Sequence, residues 1–360
     1  MTNYEDLKAI AGHFQIDGGI TDIAPLGNGL INDTFKITTD GSRDYVLQRI
    51  NHSIFTDPDL LQHNIEAVTA HLRAKLAGDP DIDRKVLRFI PSDTGKTWYF
   101  DGSSYWRISV FIPDSFTYEA VNPEYSYYAG LGFGKFEADL ADLDEELGET
   151  IPDFHNMELR LRQLDEAIAD DRAERLSDPA IMELTEAIKA DAEEMASAER
   201  LFREGKLPKR ICHCDTKVNN MLFDADGNIL CIIDLDTVMP SFVFSDFGDF
   251  LRTAANTAAE DEPDTAKISF DMEIFKAFAK GYLESASSFL TPLEKQMLPY
   301  AALRFPYMQT VRFLADYLNG DTYYRIRYPE HNRVRSFAQW KLYLDAKEKL
   351  PQMQQFIDSL

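Results

Sequence analysis

The change in hydrophobic periodicity near residue 113 constrains the fold of this 360-residue chain more than any other feature. Before it, short runs rich in β-branched and aromatic residues indicate strands. After it, apolar residues recur mostly at helical spacing. We therefore predict a mixed α+β fold, with an antiparallel sheet and one main helix in a lobe at 1–112 and mostly helices in a lobe at 113–360. The two form one continuous unit with a hinge near 113–123.

Individual elements follow from the same patterns. Strands are predicted at 35–38, 45–50, 86–90, 97–100 and 105–112, with helices at 4–14 and 59–75. Asp101-Gly102 indicates a hairpin turn between the last two strands. Helices are predicted at 125–140, 159–168, 181–202, 270–289 and 292–318. Inside the helical half, residues 221–223 and 229–233 predict a β-hairpin with its turn at 224–227.

Charge and composition narrow the class of protein. The formal net charge is −24, from 61 acidic and 37 basic residues. This disfavours broad contact with nucleic acid or an anionic membrane, and binding of small molecules fits better. The N-terminus lacks an apolar signal core, and no run of about 18 uncharged apolar residues is present. Three cysteines indicate reduced thiols. We expect a cytoplasmic monomer with no membrane partner.

One segment combines residue types that suit phosphoryl transfer. His213, Asp215 and Asn220 follow an H-x-D-x4-N spacing just before a predicted strand, and Asp234 ends the returning strand. This reaction needs a group that orients and deprotonates the attacking hydroxyl, and oxygen ligands for a Mg²⁺ ion at the nucleotide phosphates. Asp215 suits the first role, and Asn220 and Asp234 suit the second. A short loop and one hairpin can bring the three together.

Two neighbours of the candidate base have alternative roles. Lys217 could place positive charge where negative charge accumulates on the transferring group. It could equally be an exposed loop lysine. His213 could transfer a proton, but a loop histidine beside a better-placed carboxylate more often braces the loop through hydrogen bonds.

The cysteines near this segment suggest a rival site. Cys212, His213, Cys214 and Cys231 could indicate zinc, whose usual ligands are thiolates and imidazole. The Cys-His-Cys spacing is tighter than that of an ordinary zinc knuckle. A phosphoryl-transfer site therefore accounts for the segment better.

A glycine-containing segment, Pro25-Leu-Gly-Asn-Gly-Leu-Ile-Asn-Asp, lies upstream. Gly27 and Gly29 could let backbone N–H groups close over phosphates, and Asn32 is a further candidate for nucleotide binding. Ordinary hairpins also use Gly-Asn-Gly. The segment therefore supports nucleotide binding only together with other motifs.

The strand at 45–50 should supply a cation that pairs with phosphate. It has Gln48 where a kinase lysine would be familiar, with Arg49 next to it. Because side chains alternate along a strand, only one of the two can face the nucleotide. Glu66 on the first long helix is the expected partner of Arg49. An exposed pair that contributes little to stability is the alternative interpretation.

Four motifs together carry a family resemblance. They are the glycine segment, His213-x-Asp215-x4-Asn220, Ile232-Ile-Asp-Leu-Asp-Thr237 and Asp246-Phe-Gly-Asp249. The chain resembles the aminoglycoside phosphotransferase and choline kinase superfamily, whose members have a two-lobed, protein-kinase-like fold. Within it, the chain is most similar to the bacterial N-acetylhexosamine 1-kinases. Further matching segments lie at 260–262, 312–318 and 327–332, and the first has no chemistry that follows from its residues.

The resemblance implies specific roles. Asp215 would be the base, Asn220 and Asp234 would hold Mg²⁺, and ATP would donate its γ-phosphoryl group. Arg312 and Tyr323 would contact an N-acetylhexosamine, whose anomeric hydroxyl would be phosphorylated. The partners would thus be a nucleotide and a small sugar.

Other residues match the family with less defined roles. We expect Asp236 to help at the metal and Asp249 to fix local structure. Arg312 lies in an otherwise apolar helical stretch, where a buried arginine needs a carboxylate or a ligand oxygen. A structural salt bridge is therefore an alternative to sugar binding.

Two other functions compete with a sugar kinase. The acceptor could be another small hydroxyl compound, such as an amino alcohol or an aminoglycoside, although no cluster of acids beside aromatics suggests a cage for a cation. The chain could also be a binding protein on a kinase-like scaffold without catalysis. The joint presence of Asp215, Asn220 and Asp234 argues against this second alternative.

Overall fold

The computed structural model describes residues 3–27, 31–118 and 121–360. The chain forms two compact units, each built from three segments. The first comprises 1–117, 142–152 and 221–239, and the second comprises 118–141, 153–220 and 240–360. The first unit thus includes a hairpin from the helical half of the sequence. The division into functional lobes at 112/113 stays a prediction.

The strands are β1 (Ile20–Pro25), β2 (Asp33–Thr39), β3 (Tyr45–Ile50), β4 (Tyr99–Phe100), β5 (Tyr105–Val110), β6 (Arg210–Cys212), β7 (Met221–Phe223), β8 (Ile229–Ile232) and β9 (Met239–Ser241). The helices are α1 (Tyr4–Ala11), α2 (Pro58–Lys75), α3 (Ile82–Lys85), α4 (Pro123–Leu140), α5 (Met157–Asp170), α6 (Pro179–Met195), α7 (Ser197–Arg203), α8 (Phe244–Ala254), α9 (Met272–Ala286), α10 (Pro292–Gln296), α11 (Leu298–Leu318) and α12 (His331–Ser359). None of them, within the described ranges, is long and apolar enough to cross a membrane.

The first unit contains an antiparallel sheet of five strands in the order β1-β2-β3-β5-β4. Its core includes Ile37, Leu47 and Ile108, all fully buried. The sheet confirms the predicted antiparallel architecture, but one strand differs. Residues 86–90 form only an isolated bridge beside β5, between Phe89 and Ser109. The fifth strand is β1, whose single buried residue, Ile23, leaves too little alternation for recognition from sequence.

Two predicted turns are confirmed in this unit. The Asp101 carboxylate accepts hydrogen bonds from the backbone N–H groups of Ser103 and Ser104, both at 2.8 Å, and closes the β4–β5 hairpin. Strands β7 and β8 pair in antiparallel fashion, with Met221 opposite Ile232. This second hairpin delivers the chain to Asp234, two residues beyond β8.

The second unit is mainly helical, as predicted. Helices α4 and α9 approach closely because glycines lie at their crossing. A Cβ atom on Gly130 would lie 2.1 Å from the carbonyl oxygen of Phe278, and one on Gly281 would lie 2.1 Å from that of Tyr127. Helix α11 is buried along most of its length and packs against α5, α8 and α12.

Several helices differ from the predictions, and α3 and α8 were not predicted. The segment 181–202 divides into α6 and α7, and 292–318 divides into α10 and α11. Helix α12 was not predicted. Its polar and apolar residues give it little amphipathic contrast, although Leu342, Tyr343 and Ala346 are fully buried.

Candidate active site

The loop between β6 and β7 carries the candidate base. Asp215 is half-buried, and its Oδ2 lies 2.9 Å from Lys217 Nζ. Asn220 is buried and donates through Nδ2 to the Asp215 carbonyl, at 2.8 Å, and to its carboxylate, at 3.2 Å. Cys214, just before the base, has a φ of 62°. A non-glycine residue in this left-handed conformation often marks a functional site. The structure therefore brings Asp215, Lys217 and Asn220 together.

Asp246, in the first turn of α8, holds this loop. Its carboxylate accepts hydrogen bonds from the backbone N–H groups of His213 and Cys214, both at 2.7 Å. Its backbone carbonyl accepts one from the Thr216 hydroxyl at 2.7 Å. Burial raises the pKa of Asp246, whereas His213 and the two backbone donors act in the opposite direction. Asp246 thus fixes the backbone just before Asp215 through its carboxylate and the Thr216 side chain just after it through its carbonyl.

A second buried acid, Glu137 of α4, lies against Asp246. Its burial, and after that the charge of Asp246, raise the pKa of Glu137 well above its ordinary value. Tyr282 of α9 donates a hydrogen bond to Glu137 Oε2. Since two adjacent buried carboxylates cannot both ionise cheaply, this raised pKa favours the protonated form of Glu137, which can donate to Asp246. Sequence reasoning did not identify Glu137.

His213 is fully buried in the second unit. Its ring packs edge-on against Phe133 and Phe136, with centroids 5.4 and 5.9 Å away. This position supports the bracing role over contact with a substrate. A direct catalytic role for His213 stays a prediction.

The zinc alternative finds no support in the described part of the chain. There, the group of potential ligands close enough to share an ion is Glu137, Cys212 and Asp246, all buried. His213, Cys214 and Cys231 do not join it. All three cysteines are free thiols.

Two acids of the first unit that follow the β7–β8 hairpin differ in their exposure to solvent. Asp234 is exposed and has φ 62° and ψ 55°, a left-handed conformation. Asp236 is 3% exposed and forms an ion pair of 2.6 Å with Arg107. It also accepts a hydrogen bond from Asn32 Nδ2 at 2.7 Å. Since both carboxylate oxygens of Asp236 have partners, its predicted help at a metal would be indirect, whereas Asp234 is accessible.

Arg107 of β5 is the main residue that sequence reasoning missed in this unit. It lies opposite Gln48 in the sheet and donates to Gln48 Oε1 at 3.0 Å and to Gln62 Oε1 at 3.2 Å. It is 2% exposed. The sequence pattern that could have identified Arg107 is an arginine between two apolar residues of a buried strand. A charge in such a place needs a carboxylate partner. Gln48 therefore neighbours a cation supplied by another strand.

The predicted pair of Arg49 and Glu66 is wrong. Arg49 forms an ion pair with Asp33, its direct neighbour across β2 and β3. Glu66 is exposed and accepts a hydrogen bond of 2.5 Å from the Thr97 hydroxyl. A cross-strand partner was nearer to Arg49 than a partner on the helix.

The glycine segment is described only in part. Gly27 has a φ of 70°, and a Cβ atom there would meet no other atom within 4 Å. Glycine is therefore favoured at this position by the backbone conformation and not by a lack of space for a side chain. Gly29 lies outside the described residues, so its predicted role at the phosphates stays a prediction.

Residues at both candidate metal positions have suitable chemistry for Mg²⁺. Because Asn220 Nδ2 donates to Asp215, the amide oxygen of Asn220 points away from the base, and no described residue donates to it. Asp234 offers an exposed carboxylate. Amide and carboxylate oxygens are the ligands that Mg²⁺ prefers. The donor set therefore fits this ion.

Arg312 and Tyr323 line a cavity of about 520 Å³ formed by α5, the end of α11 and residues 319–324. We call it the α5–α11 pocket. The Arg312 guanidinium lies 5.9 Å from the Tyr323 ring centre and 5.5 Å from that of Tyr324. Its hydrogen bond goes to Gln309 Oε1 at 3.1 Å. Arg312 forms no ion pair within the described residues. The structure therefore does not support the alternative of a structural salt bridge.

The loop that carries Tyr323 is held by Asp316. This carboxylate accepts hydrogen bonds from the backbone N–H groups of residues 322–324 at 2.8–2.9 Å and from Asn332 Nδ2 at 2.8 Å. Asp261 binds buried His331 at 3.0 Å, just after the loop. The segment 260–262, which had no assigned chemistry, thus contacts the segment 327–332 that follows this loop.

Comparison with known proteins agrees with this geometry. A sequence model of the phosphotransferase enzyme family matches residues 22–278. An aminoglycoside phosphotransferase from Alicyclobacillus acidocaldarius has a TM-score of 0.63 at 13% identity, over 98% of this chain and 96% of that one. A choline kinase from Cryptosporidium parvum has a TM-score of 0.59 at 14% identity, over 99% of both chains.

A third similar structure is an amicoumacin kinase in complex with AMP-PNP, Ca²⁺ and the ligand Ami. Its TM-score is 0.59 at 14% identity, over 99% of this chain and 93% of that one. These likenesses confirm the predicted α+β, protein-kinase-like fold. Together with the family match over most of its length, they establish that the chain belongs to the phosphotransferase enzyme family.

Proposed function

We propose that this phosphotransferase transfers the γ-phosphoryl group of ATP to the anomeric hydroxyl of an N-acetylhexosamine. The observation that carries the proposal is the arrangement around Asp215. An accessible carboxylate is oriented by Lys217 and Asn220 on a loop that Asp246 fixes from behind. Such a preorganised base suits proton abstraction from a hydroxyl.

The reaction is a direct transfer. The acceptor oxygen forms a bond to the γ-phosphorus, the bond from that phosphorus to the bridging oxygen breaks, and ADP leaves. Asp215 accepts the proton of the hydroxyl. Lys217, beside it, lowers the free energy of the negative charge on the transferring group. His213 contributes by packing under the loop.

The nucleotide side rests on residues of the first unit and on Asn220. Asn220 and Asp234 would hold Mg²⁺, which supplies positive charge at the nucleotide phosphates. Gly27 and Gly29 would present backbone N–H groups to those phosphates. The network that Arg107 forms with Gln48 and Asp236 also includes Asn32. It would position the strand ends around the nucleotide phosphates. The amicoumacin kinase bound to AMP-PNP and Ca²⁺ supports a nucleotide and a divalent cation as partners.

The choice of a sugar acceptor rests on the α5–α11 pocket. Arg312 and Tyr323 offer hydrogen-bond donors and an aromatic face, and Tyr323 is 70% exposed, so its ring is available for stacking. A cationic acceptor such as choline or an aminoglycoside would be repelled by Arg312, which has no described ion pair. This charge favours a neutral sugar over the amine acceptors.

Phosphorus NMR of the products tests the proposal. The enzyme is incubated with ATP, Mg²⁺ and a panel of sugars, amino alcohols and aminoglycosides. We expect an anomeric phosphate signal from N-acetylglucosamine or N-acetylgalactosamine. A phosphate on another carbon would reject the anomeric assignment, and no nucleotide consumption with any acceptor would reject the kinase. The Asp215→Asn variant controls for contaminating kinases.

A further inference from the structure

The α5–α11 pocket is also lined by Arg160 of α5, which has no assigned role. Its guanidinium donates to the carbonyl of Phe154 at 2.7 Å and to the side chain of Gln163 at 2.9 Å. Its Nε is buried and has no hydrogen-bond partner among the described residues. The pocket therefore contains a cation whose hydrogen bonds go to neutral groups and remain incomplete.

Two of the three arginines that line the pocket lack an ionic partner, whereas the third, Arg172, pairs with Asp170. Within the ranges 3–27, 31–118 and 121–360, neither Arg160 nor Arg312 forms an ion pair. Burial, and after that the charge of Arg312, lower the pKa of Arg160 to about 10. Burial and the same two arginines contribute to a pKa of His155 well below its ordinary value. The charge of Asp153 acts in the opposite direction on Arg160 without forming an ion pair with it. Positive charge at this place contrasts with the net charge of −24.

The acids of the pocket do not neutralise this charge. Asp316 is committed to three backbone N–H groups and Asn332. Asp170 is exposed and pairs with Arg172 at 3.0 Å. Glu166 is exposed to solvent, where its field is weak. The inner wall of the pocket is thus positive.

We propose that Arg160 and Arg312 form an anion subsite, so that the acceptors of this enzyme include N-acetylhexosamines with a phosphate, sulfate or carboxylate group. The acceptor's identity as an amino sugar rests on the proposed function. Because Asp215 does not line the cavity, the anionic group lies away from the reacting hydroxyl. Planar guanidinium groups with free N–H donors bind such oxyanions by charge-assisted hydrogen bonds.

Isothermal titration calorimetry of the full chain without nucleotide tests this subsite. The probes are N-acetylglucosamine, its 6-phosphate, its 3-O-lactyl ether and inorganic phosphate. We expect at least one anionic sugar to bind about tenfold more tightly than the neutral sugar. This advantage should disappear in Arg160→Gln and remain in Arg172→Gln, which removes the same charge from the rim.

A further variant avoids any loss of folding. Glu166→Gln leaves both arginines and their hydrogen bonds in place and removes the negative charge from the wall. It should strengthen binding of the anionic sugar about two- to threefold. Circular dichroism confirms that each variant is folded.

The outcomes separate the two proposals. Equal affinity for neutral and anionic sugars, or equal losses in Arg160→Gln and Arg172→Gln, overturns the anion subsite even if N-acetylglucosamine is phosphorylated. Tighter binding of inorganic phosphate than of any anionic sugar overturns the assignment of the anion to the acceptor. Arg160-dependent binding of an anionic sugar supports the subsite even if neutral N-acetylhexosamines are not substrates.

Discussion

Two loops of the second unit are held by the same device, a buried aspartate that accepts hydrogen bonds from consecutive backbone N–H groups. Asp246 binds the amides of residues 213 and 214, and Asp316 binds those of 322–324. The first loop carries the candidate base. The second presents Tyr323 to the α5–α11 pocket. In the proposed function, the same physical solution therefore serves the chemistry in one loop and acceptor binding in the other.

The two aspartates differ in the groups that face their carboxylates in addition to these backbone N–H groups. Asp316 receives a fourth donor, Asn332 Nδ2, at 2.8 Å. Asp246 instead faces Glu137, a second buried acid whose pKa is raised well above its ordinary value by burial. We therefore expect one loop to be held by hydrogen-bond donors alone and the other to depend also on a proton bound to Glu137. Disrupting each loop should therefore change different kinetic constants, and only the catalytic loop should depend on Glu137.

The largest effect is expected from Asp215→Asn, which removes the base from the first loop. Turnover should fall by at least about 10³-fold, because general-base catalysis contributes about 10²–10⁴-fold and orientation of the hydroxyl is also impaired. Affinity for the acceptor, measured by calorimetry, should change little. The control is Asp226→Asn in the exposed turn between β7 and β8. Substantial remaining activity would reject Asp215 as the base.

Asp246→Asn should give the next largest effect. An amide group cannot accept both backbone hydrogen bonds without opposing one N–H with its own, at a cost of about 1–3 kcal/mol. We expect kcat to fall about 10- to 100-fold with a smaller change in the acceptor KM. Steady-state kinetics and urea unfolding check both expectations. An increase in KM alone would contradict the assignment of this loop to chemistry.

Asp316→Asn tests the second loop in the same way. The loop should lose its fixed backbone, so the acceptor KM should rise about tenfold while kcat changes less than about threefold. The nucleotide KM serves as the internal control. If Asp316→Asn lowers kcat as strongly as Asp246→Asn, the two loops do not have separate roles.

The sequence predicted the first loop well because its information is local. Asp215, Lys217 and Asn220 lie within six residues, and the hairpin that follows is specified by a short turn. Their contacts therefore follow from spacing. Most of the long helices were located for the same reason, since hydrophobic periodicity reports the buried face of an element.

The remaining contacts depend on pairs that are far apart in the sequence. Glu137 meets Asp246 only through the packing of α4 and α8, and Arg107 meets Asp236 only through the fold of the first unit. Spacing contains no signal for such pairs. A charged residue in a buried segment, as at Arg107, indicates that a partner exists without identifying it.

The smallest effect is expected from Glu137→Gln, which replaces the protonated acid by an amide that can still donate to Asp246. At neutral pH its kcat should stay within about threefold of the wild-type value. Glu137 faces Asp246, Cys212 and Tyr282, and burial raises the pKa of both Cys212 and Tyr282, so those two remain neutral as well.

The distinguishing measurement is the pH dependence of stability. Because folding raises the pKa of Glu137 above its ordinary value of 4.5, its contribution is complete below that pH and declines as pH rises towards the folded value. As pH rises above about 5, the wild type should therefore lose stability relative to Glu137→Gln, by at most about 1.4 kcal/mol per pH unit. Glu284→Gln, which removes an exposed acceptor of the Tyr127 hydroxyl, is the matched control and should show no such trend. Parallel curves for the wild type and Glu137→Gln would mean that the catalytic loop, like the loop at 322–324, is held without a bound proton.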